Sequence, residues 1–201
     1  MALKYFSRLE LDEDGREWAQ ISGREASRMG RLLEDVLLYS KPVKLDLKPL
    51  NLSVILKEFI NANRAMGEQK QLYSKLLLAQ DQEHEKLIIN ADSDRLNQIL
   101  LNIYRNAIEA AEPDSQISYS LQCNYAAQTV TLTINNKGDI IPENVLQRIG
   151  EPFFTTKSRG TGLGMGIVKR MIEAHGGYLK ITSSVKLGTD VAITLPYMSC
   201  E

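Results

Sequence analysis

The sequence contains only two cysteines, Cys123 and Cys200, which lie far apart and form no CxxC pair. This pattern indicates neither a disulfide framework nor a zinc site. The chain also lacks any apolar run near the roughly 20 residues that a membrane span requires, and its N-terminal segment lacks the apolar core of a signal peptide. These absences predict cytoplasmic localisation, with a membrane anchor elsewhere in a longer protein left open.

The sequence also has little net charge, −1 from 24 Lys+Arg and 25 Asp+Glu, and no internal repeat. A nucleic-acid-binding domain normally shows a strongly basic balance, and repeat architectures need a recurring period, so both classes are disfavoured. With 201 residues, 43% of them hydrophobic, the chain is long enough to build a core without disulfide or metal staples. We expect a globular chain that holds any anionic ligand through local groups.

Two kinds of pattern divide the chain. From Asp12 to Tyr39 apolar residues recur at helical spacing, and Pro42 follows where such a helix has to end. Residues 1–10 show their own three-residue apolar spacing, which predicts a helical hairpin whose apolar seam needs a partner. We therefore predict a helical segment over residues 1–42 and a second domain over residues 43–201.

After Pro42 the pattern alternates between strands and helices. β-Branched and alternating segments predict strands near residues 44–46, 75–79, 86–90, 116–124, 129–135, 178–183 and 190–195. Helical periodicity predicts helices near residues 53–66, 93–111, 143–149 and 163–174. Strands in runs beside helices in runs predict an α+β fold, in which a mixed β-sheet carries helices on one face.

The predicted helix over residues 93–111 carries two amide side chains on one face. Asn102 and Asn106 are four residues apart, and Glu109 follows three residues later, so all three share that face. A carboxamide oxygen suits magnesium, which takes one or two protein ligands beside waters and substrate phosphates. Taken alone, however, this spacing favours a solvated helix face over a metal site.

Two glycine segments follow the amide-bearing helix. Residues 136–140, Asn-Lys-Gly-Asp-Ile, lie between a predicted strand and a helix, and alone they indicate an ordinary turn. Residues 160–165, Gly-Thr-Gly-Leu-Gly-Met, open a predicted helix, where unhindered N–H groups at the positive end of the helix dipole favour phosphate. A flexible loop before a capped helix is the alternative for this second segment. The motifs of P-loop, dinucleotide-binding and eukaryotic-type kinase folds are missing.

The order and spacing of these segments together resemble the ATP-binding catalytic domain of bacterial sensor histidine kinases, in the wider group that includes DNA gyrase and MutL ATPases. The resemblance covers about residues 45–196 and implies the mixed sandwich known as the Bergerat type. The matching boxes are the N box at 102–107, the glycine boxes at 136–140, 160–164 and 188–189, and the phenylalanine box at 152–154. Residues 1–42 resemble the second half of the dimerisation and phosphotransfer domain.

The resemblance also implies ATP and Mg²⁺ as cofactors, with Asn106 as the magnesium ligand and Asn102 supporting it. Residues 139–161 would form a mobile lid. For Lys157 and Arg159 a solvated lid tip is an equal alternative to a phosphate contact. The implied nucleotide-binding residues are Asn102, Asn106, Glu109, Asn136, Gly138, Ile140, Lys157, Arg159, Gly160, Thr161, Gly162, Leu163, Gly164, Met165 and Thr189.

Several positions qualify this resemblance. Asn136 stands where the family commonly has an aspartate that accepts the adenine amino proton, which implies nucleotide binding weaker by up to about tenfold. Ile140 replaces a usual glycine.

Thr189 would line the adenine pocket or only satisfy its own turn. Phe153 and Phe154 are expected to pack into the core as anchors of the lid.

The phosphoacceptor histidine of the family is missing from the sequence. Only His84 and His175 are present, and both are expected to be structural or exposed to solvent. The chain therefore resembles part of a longer kinase, and autophosphorylation of this chain alone is not expected.

The implied function is that of an ATP-dependent protein-histidine kinase in two-component signal transduction, which transfers the γ-phosphoryl group to a histidine outside this chain. The implied partners are a response regulator receiver domain and a second copy bound through the helical segment. A gyrase-like or MutL-like ATPase is one alternative, although its water-activating glutamate is replaced here by Asn102. A degenerate, non-catalytic interaction module with the same fold is the other.

Overall fold

The computed structural model describes residues 12–77, 87–157 and 160–198, which fall into two compact units on either side of the Pro42–Val43 bond. The expectations that lie outside the described residues concern the helix over 1–10, the end of the strand over 75–79, the start of the strand over 86–90, His84, Arg159 and Cys200.

The first unit contains helix α1, Glu13–Ser40. Asp12 caps it by accepting a hydrogen bond from the Gly15 N–H at 2.8 Å, and Lys41 leaves the helical conformation directly before Pro42. The predicted helix is therefore confirmed. Neither α1 nor any other helix in the described part of the chain combines the length and the apolar character needed to cross a membrane.

The second unit contains four helices and seven strands within the described residues. The helices are α2 Leu52–Glu68, α3 Ser93–Ala110, α4 Glu143–Leu146 and α5 Gly164–Ala174. The strands are β1 Lys48–Asn51, β2 Tyr73–Leu77, β3 Ile88–Ala91, β4 Gln116–Asn124, β5 Thr129–Asn136, β6 Tyr178–Ser184 and β7 Gly188–Pro196.

Five of these strands form one mixed sheet in the order β2-β4-β5-β7-β6. Strand β2 runs parallel to β4, and the other neighbours are antiparallel. Strands β1 and β3 form a separate antiparallel pair. The α+β class with a mixed sheet is confirmed.

One face of the large sheet packs against α2, α3 and α5. Strand β5 shows why: Val130, Leu132 and Ile134 are buried, while the threonines between them are only half-buried. On α3 the buried side chains recur at three- and four-residue intervals and form one stripe, which consists of Leu96, Ile99, Leu100, Ile103, Tyr104, Ala107 and Ile108. The opposite face of α3 is left for polar side chains.

Two predicted elements differ from the structure. The strand expected over residues 44–46 is wrong, because the first strand of this unit is β1, Lys48–Asn51, paired with β3. The backbone N–H of Asp46 donates instead to the Asp92 carboxylate at 3.0 Å, so a side chain and not a strand holds this segment. The helix expected over 143–149 ends at Leu146.

Asp92 joins three segments of the second unit. Its Oδ1 accepts the N–H groups of Asp94 and Arg95 at 3.0 and 3.1 Å and so caps α3, while its Oδ2 accepts the N–H of Asp46. The N–H of Asp92 donates to Nε2 of buried His175 at 3.1 Å, and Nδ1 of the same ring donates to a main-chain carbonyl of α5. His175 is therefore structural, as expected.

These contacts predict a pH-dependent loss of stability on removing Asp92. Partial burial raises the pKa of the Asp92 carboxyl, but the N–H groups of Asp46, Arg95 and Asp94 outweigh burial and hold this pKa below its ordinary value. A lowered folded pKa means that the stabilisation is complete above the unfolded pKa of about 3.9 and is lost as pH falls through the folded pKa.

We expect Asp92→Ala to lower the free energy of unfolding by about 1–2 kcal/mol at neutral pH, with a smaller difference from wild type below pH of about 4. Urea unfolding followed by circular dichroism at both pH values measures this. The control is Asp94→Ala, which removes a carboxylate from the same helical turn that does not cap α3. A difference that is equally large in acid would contradict the ionic origin of the effect.

Candidate functional site

The polar face of α3 carries the first group of candidate residues. Asn102 and Asn106 are half-buried and Glu109 is exposed, on the side of the helix that does not enter the core. From Asn102 to Ala110 the helix rises by about 12 Å. This face is therefore long enough to contact both ends of an extended ligand.

Lys157 reaches this face from a loop far along the chain. Its Nζ donates to Asn106 Oδ1 at 2.8 Å and to Glu109 Oε2 at 2.5 Å. Both charged side chains are about half-exposed, and an ion pair of that kind contributes only about 0–1 kcal/mol. The contact therefore brings three predicted residues together without adding much stability.

The start of α5 lies beside Asn102. A Cβ atom placed on Gly164 would have Asn102 Oδ1 as its nearest neighbour, at 4.0 Å. Leu163 is the N-cap residue, and no side-chain hydrogen bond caps α5 among the residues described, because an aliphatic side chain has no acceptor. The Leu163 N–H donates to Thr161 Oγ1 at 3.3 Å, and the Leu163 side chain is buried. The N–H groups at the start of α5 thus remain suited to an anion.

Gly162 crosses the main chain of Phe153. Both residues have left-handed backbones, with φ of 70° and 65°, and a Cβ on Gly162 would lie 2.4 Å from the Phe153 carbonyl carbon. This crossing turns the Phe153 side chain outward, where 65% of it is exposed. The expectation that Phe153 packs into the core is therefore wrong. Phe154 is half-buried, with the Arg148 guanidinium 4.0 Å from its ring centroid.

A second group of candidates lies where strands of the sheet end. Asn136 and Thr189 face each other across the β5–β7 ladder, and both are buried. Thr189 Oγ1 is 2.9 Å from Ser183 Oγ, which in turn accepts the Ile141 N–H at 3.1 Å. Ser183 belongs to no sequence motif, and only the register of β6 against β7 could have identified it.

Gly138 connects this second group to the end of α3. It forms an isolated β-bridge with Ala111, and a Cβ atom at Gly138 would lie 2.0 Å from the Ala110 carbonyl oxygen. Only glycine allows this approach. Ile140, two residues later, is about half-exposed.

Eight of the predicted residues, together with Ser183, form two clusters along α3. We call Asn102, Asn106, Glu109, Lys157 and Gly164 the helix-end cluster, and Asn136, Gly138, Ser183 and Thr189 the strand-end cluster. A Cβ atom placed on Gly160 would meet the side chains of Thr155 and Lys157, and Met165 is half-buried in the first turn of α5. Arg159 lies outside the described residues.

The donor set of the helix-end cluster fits magnesium. Asn106 Oδ1 and Glu109 Oε2 both lie within hydrogen-bond distance of one ammonium nitrogen, so two oxygen ligands converge on one cation. Magnesium commonly uses one or two protein oxygens and completes its shell with water and phosphate oxygens. No group of three or more His, Cys, Asp or Glu side chains in the described ranges could hold a metal ion alone.

Comparisons with known proteins show the family to which this chain is similar. The family model of histidine kinase-, DNA gyrase B- and HSP90-like ATPases matches residues 91–199, which contain both clusters. The sensor histidine kinase ZraS of Salmonella typhimurium is 33% identical over 197 residues, which cover 98% of this chain and 41% of ZraS. The chain therefore spans less than half the length of that curated relative.

Two solved structures are similar over almost the whole chain. The histidine kinase ThkA, in complex with the response regulator protein TrrA, matches with a TM-score of 0.77 and 26% identity, covering 98% of this chain and 55% of ThkA. Full-length ShkA, in complex with AMPPNP, matches with a TM-score of 0.82, covering 99% of this chain and 42% of ShkA. At 20% identity, the likeness to ShkA supports the fold alone.

Proposed function

The chain belongs to the family of histidine kinase-, DNA gyrase B- and HSP90-like ATPases, whose family model matches residues 91–199, and we propose that it is the ATP-binding catalytic core of a sensor histidine kinase. In this proposal the γ-phosphoryl group of ATP passes to a histidine outside the chain. The similarity to ZraS along nearly the whole chain supports the kinase branch of the family.

The observation that carries the proposal is the polar face of α3, where Asn102 and Asn106 lie between the two glycine segments. A hydrolytic ATPase of this family needs a carboxylate at position 102 to take a proton from water, and an amide cannot do so. The chain is therefore suited to positioning a phosphoryl group for transfer and not to activating water. Catalysis of that kind rests on orientation and on electrostatic stabilisation.

The two clusters give ATP one orientation. The strand-end cluster takes the adenine, with the Asn136 side-chain oxygen accepting its amino proton beside Thr189. The helix-end cluster takes the phosphates, where the uncapped N–H groups of α5 favour negative charge. The polar face of α3 runs for about 12 Å from Asn102, beside the start of α5, to Ala110, beside Gly138, and this length suits a nucleotide laid along the helix.

Asn106 would hold Mg²⁺, with Glu109 close enough to bind it directly or through a water molecule. When bound, this ion neutralises charge on the phosphates and fixes their geometry. Asn102 would support the same face of α3, next to Gly164.

Residues 1–42 are proposed to belong to a dimerisation and phosphotransfer domain that contains the phosphoacceptor histidine elsewhere. In support, α1 leaves large apolar side chains exposed, namely Trp18, Ile21, Met29, Leu32, Leu33 and Leu37. A second copy is the proposed partner of this stripe. A response regulator receiver domain is the other proposed partner, as in the ThkA complex with TrrA. Cytoplasmic localisation remains part of this proposal.

Calorimetric titration of ADP into the folded chain, with and without magnesium, tests the proposed function. We expect saturable binding that magnesium strengthens. A folded chain that binds no nucleotide at millimolar concentration would overturn the kinase assignment and favour an interaction module of the same fold.

Substitution of Asn136 tests the assignment of the adenine end. One neutral hydrogen bond contributes about 0.5–1.5 kcal/mol and one to a charged group about 1.5–3 kcal/mol. We therefore expect Asn136→Ala to weaken ADP binding by up to about tenfold, and Asn136→Asp to strengthen it by up to about tenfold. The two variants act as controls for each other, because general damage to the site lowers affinity in both. Equal affinities in all three proteins would remove Asn136 from the adenine site.

A further inference from the structure

Lys157 uses the same oxygen that we assign to magnesium. Its ammonium group donates to Asn106 Oδ1 at 2.8 Å, and the Glu109 carboxylate accepts a second hydrogen bond from it at 2.5 Å. These are the two oxygens that converge on one cation in the helix-end cluster. The singly charged ammonium group of Lys157 thus occupies the two oxygens that fit a divalent metal ion as ligands.

The Lys157 ammonium group and a metal ion cannot bind this pair of oxygens at the same time. Magnesium binds its oxygen ligands at about 2.0–2.1 Å, closer than a hydrogen-bonded nitrogen approaches. An ion at Asn106 Oδ1 would therefore lie within a few ångströms of the Lys157 nitrogen. Repulsion between a divalent ion and an ammonium group at such a distance is twice that between two single charges, and a half-exposed site screens it only in part.

The main chain around Lys157 is tied to its own loop. The Lys157 N–H donates to Thr155 Oγ1 at 3.1 Å, and its carbonyl accepts the Gly160 N–H at 3.2 Å. Release of the side chain from α3 therefore removes the hydrogen bonds that connect Lys157 to Asn106 and Glu109.

We propose that Lys157 is a built-in competitor of the divalent cation at Asn106, so that metal binding and the contact between Lys157 and α3 exclude each other. This inference rests on the proposed function only for the identity of the metal. It assigns to Lys157 a regulatory role: the contact lowers the affinity of the site for the metal, and the metal displaces the Lys157 side chain from Asn106 and Glu109.

The competition is tested with Mn²⁺ alone, a paramagnetic ion that shares the oxygen ligands of magnesium. Titration into the ¹⁵N-labelled chain broadens the Asn106 side-chain amide signal wherever the ion binds there. We expect Lys157→Met to raise the apparent Mn²⁺ affinity by up to about fivefold, because exposed ion pairs are worth up to about 1 kcal/mol. Lys157→Arg, which keeps the cation, should stay near wild type.

Two controls separate competition from a general change in charge. Lys180→Met removes an exposed cation from β6, outside both clusters, and should leave the Mn²⁺ affinity unchanged. Adding Glu109→Gln to Lys157→Met should lower the affinity again, because one of the two converging oxygens loses its charge. A Mn²⁺ affinity in Lys157→Met that is equal to or below that of wild type, or no broadening in either protein at millimolar Mn²⁺, would overturn the proposal.

The outcome is independent of the proposed kinase function, because no nucleotide is present in this titration. Competition at Asn106 in a chain that binds no ADP would sustain the role of Lys157 and overturn the kinase assignment. If magnesium strengthens ADP binding but Lys157→Met shows no gain in Mn²⁺ affinity, the kinase assignment is sustained and the role of Lys157 is overturned.

Discussion

Replacement of Asn106 by alanine is expected to weaken ADP binding in the presence of magnesium by at least about tenfold, since an interaction with a charged partner contributes about 1.5–3 kcal/mol. Without magnesium the affinity should change little. The fold should remain intact, because Asn106 lies on the polar face of α3 and alanine is the strongest helix former. Calorimetry at both magnesium conditions measures the two affinities.

Asn97→Ala is the matched control for this experiment. Asn97 is exposed on the same helix, nine residues earlier and therefore on the opposite side of it, and it belongs to neither cluster. We expect wild-type affinity in this variant under both conditions. If Asn106→Ala instead weakens binding equally with and without magnesium, Asn106 contacts the nucleotide itself and is not the metal ligand.

Local sequence patterns were sufficient to predict the helices and strands that are determined by neighbouring residues. The alternation of apolar residues fixed β4 at Gln116–Asn124 as predicted, and β5 differs by one residue. Strand β1 was misplaced because its position depends on pairing with β3 and on the side chain of Asp92, both distant in sequence. Tertiary contacts therefore override the weak local signal in that segment.

The same distinction applies to the site. The spacing of Asn102, Asn106 and Glu109 requires a shared helix face, and the structure brings them together on α3. The contact of Asn106 and Glu109 with Lys157, which lies 51 residues beyond Asn106, follows from no spacing rule. The outward Phe153 was unpredictable for another reason, because its left-handed backbone results from the crossing with Gly162.

Replacement of Gly138 by alanine is expected to lower the free energy of unfolding by about 3 kcal/mol, the upper part of the range for inserting atoms into a packed region. The new methyl group would lie 2.0 Å from the Ala110 carbonyl oxygen and 3.0 Å from its carbon. Both are backbone atoms, so neither can rotate away, and α3 has to move from the end of β5. For a unit of this size the melting temperature should fall by about 6–12 °C.

Gly164→Ala separates this close approach from the intrinsic cost of replacing a glycine. Neither glycine has a left-handed backbone, and a methyl group at Gly164 would have its nearest neighbour at 4.0 Å. Because Gly164 begins α5, alanine there should leave the stability unchanged or raise it by up to about 1 kcal/mol. Calorimetric melting of both variants measures the difference. Equal stability of Gly138→Ala and Gly164→Ala would mean that α3 and β5 can separate without cost, and the fixed spacing between the two clusters would then lose its structural basis.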